Sequence, residues 1–211
     1  MKMQRIGFNS GFKNLDGIIS IPDTNVSKVP GVAICNMHPI FGGGMDSYVV
    51  KTLSNILAMN GIASLRFDFG NLNSDNADFM SSMSEDLASA VKTLKDWPNI
   101  NNHKMGLIGV SIGSNVILNN LAQFKNIKGV FMVSPSVNFI KRSSISTFKS
   151  PTFFIIGGQD KFVSPLNLKS EVDKIETSEL MVIEGSDHTW EQFEDTLAKN
   201  ASYFFNKVFS I

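Results

Sequence analysis

Short apolar runs alternate with segments of helical spacing along nearly the whole chain, and this alternation restricts the possible folds more than any other feature of the sequence. Continuous apolar runs of this length are typical of strands that are buried on both faces of a sheet. We predict seven such strands, at residues 17–21, 32–36, 63–67, 105–109, 129–133, 152–156 and 180–183. Most of the gaps between them are long enough to hold a helix.

Five helices are predicted in these gaps and after the last strand. Their ranges are about 46–60, about 83–96, a stretch directly after Ser111, a stretch that follows Pro165, and about 189–209. We expect Gly61 to end the first helix. Ser82 and Glu85 should form a capping box on the second helix, and Asp187 should cap the last one. Strands and helices in this order predict one α/β domain over residues 1–211, with an open, mostly parallel sheet flanked by helices on both faces.

The charge balance gives no support to nucleic acid or an anionic membrane as a partner. Lys and Arg together number 19, as do Asp and Glu, and the sequence has no basic cluster. A single cysteine cannot form an internal disulfide, and no Cys or His spacing suits a metal site. The chain opens without a signal-peptide-like run, and no stretch approaches the ~18 apolar residues of a membrane span. We therefore expect a cytoplasmic protein without a metal; no feature points to an oligomeric state.

The pentad Gly109-Val110-Ser111-Ile112-Gly113 lies where an apolar run ends and a helical pattern begins. A nucleophile elbow needs this position, because its serine takes a strained backbone conformation and only glycine-sized neighbours let the strand and the helix pass closely. A Gly/Ser turn without any chemistry would give the same five letters. The pentad alone therefore leaves both interpretations open.

Two further residues follow Ser111 in the order that such a site requires. A serine hydroxyl is a poor nucleophile at neutral pH and needs a base, which in turn needs an orienting carboxylate. Asp160 follows the predicted strand 152–156, and His188 follows the strand 180–183. Each alone has an ordinary alternative, a turn residue for the aspartate and a surface residue for the histidine. Their joint order at three strand ends predicts a catalytic triad.

An oxyanion site is expected beside the nucleophile. One donor should be the backbone N–H of Ile112, the residue that follows the serine. The loop after the strand 32–36 should supply the second donor. Pro39 has no N–H, so we choose Ile40, with Phe41 as the alternative.

Other residues near the predicted site have ordinary explanations. His38 lies at the active end of the sheet but precedes the serine, so we expect it to shape the oxyanion loop. His103 precedes a predicted strand, which places it at the opposite end of the sheet. Cys35 lies within a strand and is expected in the core. The glycines at 42–44 permit a tight return of the loop, and no Gly-Lys-Ser/Thr follows them to support a phosphate site.

On the basis of these residues, the chain resembles the α/β-hydrolase superfamily over nearly its whole length. It is most similar to small members of the dienelactone-hydrolase-like and short carboxylesterase-like kinds, and the loop His38-Pro39-Ile40-Phe41-Gly42-Gly43 resembles that of a subgroup with a His-Pro loop and paired glycines. Ser111, Asp160 and His188 match the triad positions of the superfamily. The resemblance implies a serine hydrolase that needs no cofactor. The segment 68–76 departs from the Arg-Gly-x-Gly type of loop that such proteins often carry beside the pocket.

The pocket is expected to be nearly lidless. Only residues 134–150 separate two predicted strands, which is too few for the helical lid that many relatives insert there. The side chains that could line the pocket are His38, Phe41, Met45, Phe79, Met80, Val137 and Phe139. Core or loop packing is the ordinary alternative for most of them.

These observations favour hydrolysis of a small-molecule carboxylic ester or thioester through an acyl-enzyme. The same scaffold supports peptide cleavage, lactone opening and non-hydrolytic chemistry, because a fold does not fix a function. A binding module without catalysis is the alternative from a different class. The intact set of three triad residues argues against that alternative.

Overall fold

The computed structural model describes residues 1–70, 79–124 and 126–211. The strands within them are β1 (Lys2–Ser10), β2 (Lys13–Ile21), β3 (Val29–Cys35), β4 (Ala63–Phe67), β5 (Ile100–Val110), β6 (Gly129–Val133), β7 (Thr152–Gly157) and β8 (Ser178–Ile183). The α-helices are α1 (Tyr48–Met59), α2 (Phe79–Lys95), α3 (Ile112–Asn120), α4 (Val137–Arg142), α5 (Pro165–Val172) and α6 (Glu194–Phe209). The predicted architecture, an open and mostly parallel sheet with helices on both faces, is confirmed.

The strands form one sheet in the order β1-β2-β4-β3-β5-β6-β7-β8. β2 pairs antiparallel with both β1 and β4. From β4 through β3 and on to β8, every neighbouring pair is parallel. The carboxyl ends of these six strands therefore meet at one edge of the sheet, which is where ligands bind in folds of this kind.

Apolar clusters cover both faces of the sheet. Helices α2 to α5 contribute to the cluster on one face, and α1 and α6 pack together on the other. The fit is close at Gly106 of β5, where a Cβ atom would overlap the ring of Phe205 from α6. β3, β6 and β7 are buried along their full length, which accounts for their continuous apolar sequences. None of the described helices combines the length and the apolar content needed to cross a membrane.

Two elements, β1 and α2, differ from the prediction. β1 was not predicted, because it is an edge strand that pairs with β2 alone and most of its residues are exposed. The prediction of a capping box at Ser82 and Glu85 is wrong, since α2 already begins at Phe79. The hydroxyl of Ser82 instead accepts a hydrogen bond of 2.8 Å from Nζ of Lys13 on β2. A tertiary contact thus takes the place of the predicted local cap.

The predicted start of the last helix is also wrong. α6 begins at Glu194, and the residues before it form a turn in which Trp190 has a φ of 63°. The indole of Trp190 is fully buried. Asp187 does not cap α6, because its Oδ1 accepts from the N–H and the hydroxyl of Thr189 at 2.8 Å each. Burial of the indole requires a backbone conformation that a continuous helix could not provide.

A buried carboxylate fastens the β1–β2 hairpin to α2. Asp86 on α2 is fully buried, and its Oδ1 lies 2.6 Å from the hydroxyl of Ser10 and 2.5 Å from Nζ of Lys13. Its Oδ2 accepts from the N–H of Gly70 at 2.9 Å. A buried charge is tolerated only when it is paired and hydrogen-bonded, and Asp86 meets both conditions.

Replacing Asp86 by Asn should lower the free energy of unfolding by about 2–3 kcal/mol, because the ion pair with Lys13 is lost and one buried hydrogen bond meets a donor instead of an acceptor. The midpoint of urea unfolding measures the loss. Asp173→Asn is the matched control, since Asp173 pairs with Lys169 on the surface and exposed pairs contribute little. Equal midpoints for Asp86→Asn and the wild type would contradict this account of the hairpin.

Candidate active site

Ser111 occupies the sharp turn between β5 and α3. Its backbone φ is 54° and its ψ is −112°, a strained conformation for a residue with a side chain. The two glycines of the pentad explain how the turn fits. A Cβ atom at Gly109 would collide with the backbone of Ser114, and one at Gly113 would collide with the carbonyl of Cys35. The turn therefore matches the geometry that the sequence predicts for a nucleophile elbow.

The three residues of the predicted triad lie in one hydrogen-bonded chain. Oγ of Ser111 is 2.8 Å from Nε2 of His188, and Nδ1 of His188 is 2.8 Å from Oδ2 of Asp160. Oδ1 of Asp160 accepts from the backbone N–H groups of Phe162 and Val163, both at 2.9 Å. Asp160 and His188 are almost completely buried, whereas Ser111 is half-buried. The serine is thus the member of the chain that solvent and a ligand can reach.

Asp160 is held in its charged form. Burial favours the neutral carboxyl, but the hydrogen bonds from His188 and from the N–H groups of Val163 and Phe162 outweigh it, and the pKa of Asp160 lies below its ordinary value. A carboxylate at this position accepts a hydrogen bond from the N–H group at Nδ1 of the imidazole. Nε2 is then left without a proton and can accept the hydroxyl hydrogen of Ser111.

Two phenylalanine rings cover His188. The centroid of Phe162 lies 5.0 Å from that of the imidazole, and the centroid of Phe41 lies 5.5 Å away. The two phenyl rings also touch each other edge to face at 5.0 Å. Phe41 was among the predicted pocket residues. Phe162 was missed, although its position two residues after Asp160 at a strand end could have indicated it.

The predicted oxyanion donors differ in their surroundings. Ile112 is the first residue of α3, and an N–H at the first position of a helix has no partner within the helix. The N–H of Ile40 donates to Nδ1 of His38 at 3.2 Å, and the N–H of Phe41 donates to the carbonyl of His38 at 3.0 Å. His38 thus shapes this loop, as the sequence predicts, and it engages both candidates for the second donor.

The end of the same loop is fixed by a group of polar residues, of which Asn36 and Arg66 are buried. Met45, predicted to line the pocket, is buried, and its N–H donates to Oδ1 of Asp68 at 2.7 Å. Its carbonyl accepts from the guanidinium of Arg66, which also pairs with Asp46 at 2.8 Å. Asn36 binds the same carboxylate oxygen of Asp68 at 3.2 Å. The prediction of Met45 as a pocket residue is therefore corrected, since this residue anchors the loop, and no sequence pattern indicates the role of Arg66 and Asp68.

The remaining predicted pocket residues are divided among different surroundings. Val137 lines a groove between α4 and α5. The prediction that Phe139 lines the pocket is wrong, because this residue lies in a separate crevice between α3 and α4. Phe79 and Met80 form the first turn of α2 and pack against the core.

Four further predictions concern the loop at residues 68–76, the absence of a lid, His103 and Cys35. Residues 71–76 of the departing loop lie outside the described residues. Residues 134–150, between β6 and β7, hold α4 and a 3-10 turn at Ile145–Thr147, and no lid covers the site in the described part of the chain. His103 lies on β5 far from the carboxyl edge and is exposed. Cys35 is fully buried in β3, and burial raises the pKa of its thiol.

Comparisons with known proteins identify the fold and the family of the chain. A model of the alpha/beta hydrolase domain matches residues 41–204 of the chain. An uncharacterised protein of Rickettsia prowazekii is 24% identical over 200 residues, which cover 88% of this chain and 82% of that protein.

Solved structures show the same fold. An α/β serine hydrolase without lid from Xanthomonas campestris has a TM-score of 0.79 and 20% identity, over 98% of this chain and 94% of that one. A dienelactone hydrolase from Anabaena variabilis has a TM-score of 0.81 and 19% identity, over 97% of this chain and 96% of that one. The domain model covers most of the sequence, and the resemblance seen in the sequence is confirmed: the chain belongs to the alpha/beta hydrolase family.

Proposed function

We propose that the protein is a serine hydrolase that cleaves a carboxylic ester or thioester by passing the acyl group through Ser111 to water. The observation that supports this most directly is the unbroken chain from Ser111 through His188 to Asp160, with 2.8 Å at each step. A general base has to lie within hydrogen-bond reach of the proton that it abstracts, and Nε2 of His188 lies within that reach.

In the first half of the reaction, the hydroxyl oxygen of Ser111 attacks the carbonyl carbon while Nε2 of His188 takes the hydroxyl proton. Asp160 orients the imidazole and stabilises its charged form. The N–H of Ile112 holds the oxyanion. Ile40, or else Phe41, supplies a second N–H by exchanging its bond to His38 for one to the oxyanion.

The tetrahedral intermediate then collapses. The bond to the alcohol or thiol breaks, and His188 gives its proton to that leaving group, so that an acyl-enzyme remains on Ser111. In the second half, a water molecule loses a proton to His188 and attacks the acyl carbon. The second intermediate collapses with cleavage of the bond between the acyl carbon and the oxygen of Ser111, which releases the acid, and His188 returns its proton to that oxygen.

The likeness in fold to a dienelactone hydrolase supports an ester as the substrate, since a lactone is a cyclic ester. Lactone opening is therefore the second candidate, and it uses the same steps with the leaving group tethered. A binding module would have no physical need for a buried carboxylate that orients a histidine against an accessible serine.

Ser111→Ala should abolish labelling by a fluorophosphonate probe and lower kcat by a factor on the order of 10⁴ or more, because the attacking oxygen is gone. In-gel fluorescence and hydrolysis of a chromogenic acetate ester measure the two effects. Ser27→Ala, at an exposed serine in the loop before β3, is the matched control and should retain both. Unlabelled wild-type protein that is demonstrably folded would contradict the proposal.

Asp160→Asn should lower kcat about 10³- to 10⁴-fold with little change in KM, because an amide no longer selects the imidazole tautomer with a proton on Nδ1. Steady-state kinetics at saturating ester separate the two constants. A kcat within a factor of about three of the wild type would show that Asp160 does not orient the base.

The charge of Asp160 should also contribute to stability in a pH-dependent way. Folding lowers the pKa of this carboxyl, so its contribution is complete above the unfolded value of about 3.9 and is lost as the pH falls through the folded value. The gap in urea midpoint between the wild type and Asp160→Asn should therefore hold from about pH 7 to about pH 5 and shrink as the pH falls below about 4. A gap that stays constant or widens toward low pH would contradict the assigned charge.

A further inference from the structure

Two cavities of opposite chemical character are lined by Phe41 and Phe162, the two residues whose rings pack on His188. The first, called the apolar cavity, has a volume of about 600 Å³ and lies between the start of α1 and the turn after His188. Its walls include the apolar side chains of Met37, Phe41, Tyr48 and Val49. Thr189, the residue after His188, also lines it. This cavity suits a hydrocarbon chain, since burying each CH₂ group is favourable.

The second cavity, called the polar groove, has a volume of about 550 Å³ and lies between α4 and α5. Its walls carry hydroxyl and amide groups from Ser136, Asn138, Ser164, Asn167 and Ser170. Phe162 and Val163, whose N–H groups bind Asp160, also line it. Side chains of this kind can donate to and accept from the hydroxyl groups of a ligand.

The charges beside the apolar cavity disfavour an anionic ligand, and those in the polar groove offset one another. In the polar groove, Nζ of Lys141 lies 3.6 Å from Oε1 of Glu171, which Lys174 also approaches at 2.8 Å. The carboxylate and the nearest ammonium in the groove thus face each other. The apolar cavity has Glu191 and Glu194 among its lining residues, and these disfavour an anionic group there.

Phe41 and Phe162 join the two cavities at His188. Phe41 lines the apolar cavity and Phe162 lines the polar groove, and each ring packs on the imidazole. The cavities lie toward opposite faces of the sheet, because α1 packs on one face and α4 and α5 on the other. A ligand whose reacting bond lies beside Nε2 of His188 can therefore extend into both.

We propose that the substrate is a neutral amphipathic ester, with its hydrocarbon end in the apolar cavity and a hydroxyl-bearing end in the polar groove. The inference rests on the proposed ester hydrolysis and adds the substrate class to it. Tyr48 and Asn167 are its specificity-determining residues, one in each cavity. Both are exposed on the protein surface, so their substitution leaves the core intact.

The test uses four esters that combine two acids with two alcohols: propyl acetate, propyl hexanoate, glyceryl monoacetate and glyceryl monohexanoate. Release of acid, followed at constant pH, gives kcat/KM for each. Hexanoates should exceed acetates by about tenfold or more, since four added CH₂ groups are partly buried. Glyceryl esters should exceed propyl esters about fivefold, the factor that corresponds to one net hydrogen bond.

Each variant should affect one preference only. Tyr48→Ser should reduce the preference for hexanoate at least about threefold, as apolar contact is lost, and it should leave the ratio of glyceryl to propyl esters in place. Asn167→Leu should reduce the ratio of glyceryl to propyl esters and leave the preference for hexanoate over acetate in place. Tyr203→Ser, at a tyrosine 73% exposed on α6 against 76% for Tyr48, and Asn102→Leu, at an exposed asparagine on β5, are matched controls that change neither ratio.

The outcomes separate this inference from the proposed function. Ratios close to one in the wild type, or ratios that both variants leave unchanged, would overturn the amphipathic substrate while ester hydrolysis stands. Labelling of Ser111 by a fluorophosphonate without hydrolysis of any of the four esters would likewise overturn only the substrate class. Neither labelling nor hydrolysis in folded protein would contradict the proposed function itself.

Discussion

The hydrogen bond between Ser111 Oγ and His188 Nε2 joins residues 77 positions apart in the chain, and the architecture around it can be understood as the means of holding it at 2.8 Å. Ser111 follows β5, and Asp160 and His188 follow β7 and β8. Because these strands run parallel, their carboxyl ends lie at one edge and need only short turns to bring the three side chains together. The helices cover both faces and keep that edge open.

Strained backbone occurs at non-glycine positions along this edge. Ser111, Ser134 and Trp190 have φ values of 54°, 47° and 63°, and such residues cost about 1–3 kcal/mol each. The N–H of Ser111 donates to the carbonyl of Val133 at 2.8 Å, and the N–H of Ser134 donates to that of Ile155 at 2.9 Å. The buried indole of Trp190 lies 3.4 Å from the hydroxyl of Ser134. The ladder hydrogen bonds and the buried ring offset the strain, which explains why these conformations persist beside the reacting groups.

The parts of the molecule that the sequence predicts are those set by local pattern. β6 is continuously apolar and has the predicted bounds, and the elbow at Ser111 follows from two glycines at a strand-to-helix boundary. The parts it does not predict depend on contacts between distant residues. The local sequence predicts that Ser82 caps a helix, but its hydroxyl accepts a hydrogen bond from Lys13 on β2. Likewise, Arg66 and Asp68 anchor the loop at residues 38–45 through the backbone of Met45, and no spacing in the sequence connects them to it.

The account depends most on the claim that Ser111 carries the acyl group during turnover, and trapping of that intermediate tests it most directly. The protein is mixed with p-nitrophenyl acetate, quenched with acid within the first turnover, digested and analysed by mass spectrometry. The proposed mechanism predicts an initial burst of p-nitrophenol equal in molar amount to the enzyme. It also predicts one acetyl group on the peptide that contains Ser111. Turnover without any acetylated peptide, or an acetyl group on a different residue, would contradict it.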